Sequence, residues 1–259
     1  MKIDKIKKAR GNKYNLHLSN NEKIATYDEV ILKNNLLFQK EIDSSLLNKI
    51  EIDTKYYGVY NKVLKYITTR LRSKKEVATY LDKCGILDGE KDQIIKQLLD
   101  KGLVNDYNFT KAYINDKIYL SNYGPDKIKN DLYGHDIDPN VIELEIANID
   151  NVVIKEKMMK LVDKKIKVNH KYSDYQLKQK IIFELVSLGY NKEMVIEYIK
   201  GITTNNNNVL SKQYDKIYSR LSRKYSDKEL LLKVRQQLYQ KGFNGEEIDN
   251  LINEKVENY

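Results

Sequence analysis

Cysteine occurs once in this chain of 259 residues, at Cys84, and a lone cysteine closes no disulfide within the chain. Proline occurs twice, at Pro125 and Pro139, and both positions suit the first turn of a helix, where the missing N–H costs no bond. No apolar run approaches the ~18 residues that a membrane span requires. The opening MKIDKIKKARGNKYNL has no apolar stretch of the kind that marks a secretory signal. A cytoplasmic protein without a membrane partner is expected. The three histidines, His17, His135 and His170, lie far apart, and none has metal-ligand spacing to Cys84 or to paired acids. There is no phosphate-binding Walker loop, no G-x-S-x-G elbow and no G-x-G-x-x-G after a strand. Cys84 precedes a glycine at a helix end and reads as a small packing residue rather than a nucleophile. A non-enzyme without metal or cofactor is expected.

What the chain has is cationic charge. Its 46 basic and 37 acidic residues give a net charge of +9, which favours polyanionic partners through long-range attraction. Lysine, asparagine, isoleucine and tyrosine are all abundant, as an A+T-rich coding sequence would produce, which makes compositional drift the alternative source of this basicity. The 41% hydrophobic content suffices for a core. Most tyrosines, among them Tyr66, Tyr80, Tyr113 and Tyr198, fall at helical spacing with leucine and isoleucine and read as packing residues rather than as a base-stacking platform.

The N-terminal segment differs from the rest. YNLHL, SNN and KIATY read as two alternating strands around a polar turn, with KIDKIKKA as a candidate third strand before them. YDEVILKNNLL then carries helical spacing, and DSSLLNKI begins like another short helix capped by Asp43 or Ser44.

Beyond this segment the chain repeats. YLDKCGI (80–86), DLYGHDI (131–137), ELVSLGY (184–190) and QLYQKGF (237–243) each place a small residue, Gly85, Asp136, Gly189 or Gly242, at a helix stop, at spacings of 51, 53 and 53. Each stop has a matching start upstream: Ser73 with Glu76, Gly124 before Pro125, Ser173 with Gln176, and Ser226 with Glu229. The serine starts read as capping boxes, the third in a glutamine variant. A helix precedes each start and another follows each stop.

The expected fold is mainly α: tandem three-helix repeats in an elongated curved array, after a small N-terminal antiparallel β-hairpin element. The expected organisation is 1–56 for the β element and short helices, then repeats at 57–106, 107–150, 151–203 and 204–259. The polar stretch TTNNNNV (203–209) reads as the least ordered connector.

Basic residues gather where the first helix of a repeat meets the second. Arg70, Arg72, Lys74 and Lys75 surround the first start. Lys164, Lys165, Lys167 and Lys171 precede the third, and Arg220, Arg223, Lys224 and Lys228 surround the fourth. Stacked repeats would align these junctions into a basic stripe suited to phosphates or to an acidic protein groove. At RLRSKKEV (70–77) the expectation is that Ser73 and Glu76 cap a helix while both arginines face a partner.

Three passages carry a resemblance to the RecX family, regulators of the bacterial RecA recombinase. RLRSKKEVATYLDKCGI resembles the family's R-x-R-S-x-x-E helix start with its glycine stop. GLVNDYNFTKAYINDKI resembles the segment that opens the second unit, and KVRQQLYQKGFNGEEI resembles the family's terminus. The resemblance spans essentially the whole chain. It implies a non-enzymatic protein of tandem three-helix repeats that lies in the groove of the RecA–DNA filament. There it would modulate, in the inhibitory direction, filament assembly, ATP hydrolysis and strand exchange in recombinational DNA repair and the SOS response. It implies a RecA filament partner, weak binding of single- or double-stranded DNA, and a monomer. The chain departs from the family in having Asp136 where glycine is expected and lysine where arginine is common. A helical DNA-binding module acting without RecA is the alternative.

Overall fold

A computed structural model gives the fold and describes residues 1–39, 41–202 and 207–257. Three strands, β1 (Ile3–Lys8), β2 (Lys13–Leu18) and β3 (Lys23–Tyr27), form an antiparallel sheet in the order β1-β2-β3. KIDKIKKA is thus the third strand. The polar turn between β2 and β3 holds Asn21 at φ 67°, a conformation asparagine tolerates because its side chain bonds locally. Leu16 and Leu18 alternate onto one face of β2 and are buried with Val30, Ile31, Leu36, Ile42 and Ile50.

The helices that follow are α1 (Asp28–Lys33), α2 (Ser44–Ile67), α3 (Lys74–Lys83), α4 (Asp88–Asp100), α5 (Asp106–Leu120), α6 (Pro125–Tyr133) and α7 (Pro139–Ala147). The remainder are α8 (Asn151–Lys167), α9 (Asp174–Ser187), α10 (Lys192–Lys200), α11 (Asn207–Leu221), α12 (Asp227–Gln240) and α13 (Gly245–Glu257). The fold is mainly helical. Both prolines open helices, α6 and α7. The chain forms two compact units, one of Met1–Ala112 with Gly134–Asp138 and one of Tyr113–Tyr133 with Pro139–Tyr259. The connector expected at 203–209 falls largely on residues 203–206, outside the described residues.

DSSLLNKI is not a separate short helix. It is the first part of the 24-residue α2, whose Asp43 side chain accepts from the Leu46 N–H at 2.7 Å. Gly58, in the middle of α2, does not break it, although glycine costs about 1 kcal/mol relative to alanine at such a place. The Tyr27 side chain packs against this position, its hydroxyl 3.4 Å from where a Cβ would stand, an ordinary contact distance.

Two helical groups have cores of their own. Tyr60, Val63, Val77, Leu81, Ile94, Leu98 and Val104 are buried together among α2, α3, α4 and the turn after them. Leu210, Tyr214, Ile217, Leu230, Val234, Leu238, Phe243 and Ile248 do the same for α11 to α13.

The starts and stops meet each other. Ser73 is fully buried, forms a complete capping box with Glu76, and holds its Oγ 3.4 Å from Nδ1 of His135, in the turn containing Asp136. The Gly124 N–H donates to the Leu188 carbonyl at 2.7 Å and the Asp126 N–H to the Gly189 carbonyl at 3.1 Å. The Ser173 hydroxyl donates to the Lys241 carbonyl at 2.7 Å, beside Gly242. A start therefore docks on the stop of the next helical group three times over. The second joint is the tightest: a Cβ on Gly124 would overlap the Gly189 carbonyl, and one on Gly189 would overlap the Lys127 backbone nitrogen. Glycine replaces serine in that start because two backbones touch there.

Asp136 takes the left-handed role of glycine in the first of these turns, at φ 56°, and the Lys75 ammonium donates to its carboxylate at 3.0 Å. The fourth start differs from its sequence reading. Ser226 makes no side-chain cap bond, so the capping box expected with Glu229 does not form, and Asp227 stands at φ 47°.

Candidate nucleic-acid and partner interface

At the α2–α3 junction the arginines are engaged inside the fold. Arg70 donates from Nη2 to Glu76 Oε1 at 2.5 Å, from Nη1 to Oε2 at 3.2 Å, and from Nη1 to the Leu71 carbonyl at 2.9 Å. Arg72 is turned inward, with its side chain 15% exposed. Its guanidinium lies 3.9 Å from the Tyr66 ring centroid, and Tyr66 stacks on Tyr80 at 4.2 Å with an interplanar angle of 5°. The result is a three-layer cation–aromatic stack built from α2, the junction and α3. Lys74 and Lys75 are exposed; Lys75 faces Asp136, while the Lys74 backbone N–H donates to Asp106 at 2.7 Å.

Burial pushes the Glu76 carboxyl up, but hydrogen bonds from Arg70 and the Ser73 N–H, with the charges of Arg70 and His135, outweigh it and hold the group below its ordinary 4.5. A carboxyl depressed in the folded state contributes stability that is present above its unfolded value and lost as pH falls through the folded one. Melting should therefore fall as pH drops below about 4.5, and less so in Glu76→Gln. Because Arg72 combines burial, an ion pair with Glu76 at 3.7 Å, a hydrogen bond to the Thr69 hydroxyl at 3.1 Å and a stacked ring, Arg72→Ala should cost about 2 kcal/mol, while Arg70→Ala, half exposed, should cost under about 1 kcal/mol. Thermal melting of the two variants checks this order.

The α8–α9 junction is built differently. Lys164, Lys165 and Lys167 occupy the last turn of α8, where cations complement the carbonyl end of the helix dipole. Asn169 then orders the loop: its Oδ1 accepts from the Lys171 and Tyr172 N–H groups at 3.3 and 3.0 Å, and its Nδ2 donates to the Tyr172 carbonyl at 2.8 Å. The loop borders a groove of about 310 Å³ whose polar lining includes Lys165, His170, Lys171, Tyr172, Lys180 and Glu184. Lys180 lies 4.6 Å and Lys171 5.4 Å from the Tyr172 ring centroid, and Lys165 pairs with Glu184 at 2.5 Å. Two ammonium groups on one ring, in an open groove, suit a phosphate backbone with a base or sugar against the tyrosine.

Sequence reasoning found Lys165 and Lys171 here and missed His170, Tyr172 and Lys180. The signal was the run KYSDYQLKQK, two of whose lysines lie beyond the serine cap. Lys164 and Lys167 are exposed outside this groove.

At the α11–α12 junction Arg220 bonds the Gln237 amide oxygen. Arg223, Lys224 and Lys228 are exposed, with no side-chain partner among the described residues. Tyr113 and Tyr198, both partly buried, donate to Asp131 at 3.2 Å and to Asp163 at 3.0 Å. Among the described residues no group of three or more histidine, cysteine and acidic side chains could hold a metal ion, and no helix is long and apolar enough to cross a membrane.

Residues 208–252 match the family description of the third three-helix domain of RecX. The chain is 29% identical over 269 residues to the regulatory protein RecX of Streptococcus pyogenes serotype M3, with 100% of both chains covered. It is 26% identical over 263 residues to that of Streptococcus uberis, covering 98% of this chain and 99% of the relative. A crystal structure of regulatory protein RecX superposes with a TM-score of 0.65 at 22% identity, covering 78% of this chain and 99% of that one. A second, of RecX from Lactobacillus salivarius, gives a TM-score of 0.52 at 27% identity, covering 57% of this chain and 98% of the other.

Proposed function

We propose, on the premise that this chain belongs to the RecX family, that it is a non-enzymatic regulator that binds the RecA–DNA filament and restrains its assembly, ATP hydrolysis and strand exchange. The observation that carries this reading is the cationic, tyrosine-centred groove at the α8–α9 junction, set in a chain of tandem three-helix groups. Lys171 and Lys180 supply charge without bidentate base recognition, so they favour phosphate over sequence. The exposed Lys164, Lys167, Arg223, Lys224 and Lys228 would extend the same attraction. Lys74, Lys75 and Arg70 would contribute at the first junction, with Arg72 acting from behind them. The four repeats, at 57–106, 107–150, 151–203 and 204–259, would each present one helix start to the filament or to the next repeat. The protein would work in the cytoplasm, where RecA acts.

Binding of labelled single-stranded DNA, duplex DNA and RecA-coated single-stranded DNA, compared at the same salt, tests the proposal. Binding to the RecA-coated strand should exceed binding to either bare DNA by about tenfold or more, a coupling of ~1.4 kcal/mol or more. Affinity for bare DNA should fall steeply with salt and depend little on sequence. Equal affinity for coated and bare strands would replace the RecA reading with a DNA-binding module.

A further inference from the structure

The small sheet ends on an open strand. The Asp28 N–H donates to the Asn12 carbonyl at 3.1 Å and the Leu18 N–H to the Glu22 carbonyl at 3.0 Å. With Tyr14 opposite Thr26 and Asn15 opposite Ala25, the alternation of an antiparallel ladder turns the backbone of Ile24, Thr26 and Asp28 toward β2, and that of Lys23, Ala25 and Tyr27 away from it. β3 is the last strand in the order. Among the described residues, the N–H and carbonyl of Ala25 and the N–H of Tyr27 have no hydrogen-bond partner. A row of unpaired backbone groups is a template for an incoming strand.

Beside this edge lies an open cleft of about 770 Å³, lined by Ala25, Thr26 and Tyr27 of β3, by α2 and by the turn between α3 and α4. All of these belong to one compact unit. Ile52, Val59, Ile86 and Leu87 give the cleft an apolar wall, with Ile52 50% and Leu87 74% exposed. Its charge is cationic: Lys13, Lys55 and Lys62 stand against one acid, Glu90. None of the three lysines is in an ion pair among the described residues; Lys13 faces only the Tyr27 ring, at 5.9 Å from its centroid. Lysines beside an edge repel most strands, but they attract an acidic one. A second copy of this chain would bring the same lysines against these, and a nucleic acid has no peptide backbone to pair with Ala25.

We propose that β3 and its cleft take an extended, acidic segment of a partner protein. The segment adds to the sheet as a fourth strand, main-chain bonds to Ala25 and Tyr27 fixing its register. Its apolar side chains rest on Ile86 and Leu87, and its carboxylates pair with Lys13, Lys55 and Lys62. This surface is separate from the α8–α9 groove and involves no DNA.

Fluorescence anisotropy of the full chain with a labelled peptide, Asp-Glu-Val-Thr-Leu-Thr-Val-Asp-Glu, tests this without RecA or DNA. The peptide should bind with a Kd of about 1–100 μM at low salt, and the same peptide with lysine in place of its acids should not. Two further peptides carry N-methyl groups on alternate backbone nitrogens, the odd positions in one and the even in the other. One should bind about tenfold or more weaker and the other as the parent does, because only one edge of an added strand faces β3. Lys55→Glu with Lys62→Glu should weaken binding of the acidic peptide about tenfold or more and let the lysine peptide bind. Ala25→Pro should also weaken it, since proline is tolerated on an edge strand where its N–H would face outward. The peptide arms need no variant to fold. No binding up to about 1 mM, equal effects of the two methylation patterns, or indifference to the lysine reversal would each overturn the proposal. Single-stranded DNA binding that depends on Lys55 and Lys62, with no peptide bound, would give the cleft to nucleic acid. Self-association in sedimentation velocity that Leu87→Asp abolishes, again with no peptide bound, would give it to a second copy.

Discussion

Gly189→Ala is expected to lower the melting temperature by about 5–15 °C, from a left-handed penalty of about 1–2 kcal/mol and overpacking of about 1–3 kcal/mol, at roughly 2–4 °C per kcal/mol. Gly189 stands at φ 86°, and its missing side chain lets the start of α6 close onto the turn before α10, with Gly124 and Asp126 both donating to its neighbourhood. The obstacle to a Cβ is the Lys127 backbone, which cannot rotate aside as a flexible side chain would. Gly85→Ala provides the control. It carries a similar left-handed φ of 69° but meets nothing, so it should shift melting by only about a third as much. Equal shifts in the two variants, measured by circular dichroism, would mean that the joint does not hold the two helical groups together.

Reversing Lys171 and Lys180 together to glutamate is expected to weaken binding to RecA-coated DNA by about tenfold or more near physiological salt, with a salt slope reduced by roughly 2. Both side chains are exposed and each sits against the Tyr172 ring, so melting should change little. Reversing Arg70 and Arg72 should act first on the fold. Arg72 lies against the Tyr66 ring and pairs with Glu76 at 3.7 Å, while Arg70 hydrogen-bonds Glu76, so that pair should melt lower. Fluorescence anisotropy and thermal melting on both double variants separate a binding surface from a folding contact.

The repeat was legible because each stop needs a residue that accepts left-handed backbone and each start favours a capping group, and both demands are local. Gly85, Asp136, Gly189 and Gly242 mark their turns for that reason, and Ser73 and Ser173 mark theirs. The sheet was legible from alternation about the SNN turn. What local pattern hides is contact between distant segments, that Ser73 is held by His135, and the outcome of competing local bonds, that Ser226 makes no cap bond and that Arg72 turns back onto the Tyr66 ring. The groove residues His170, Tyr172 and Lys180 come together only when α8 and α9 fold against each other.

The most direct test of regulation is the rate of ATP hydrolysis by RecA on single-stranded DNA as this chain is added. A progressive fall is expected at chain concentrations that scarcely occupy bare DNA, and a weaker fall for the Lys171→Glu, Lys180→Glu variant. An unchanged rate up to concentrations that saturate the DNA itself would contradict it.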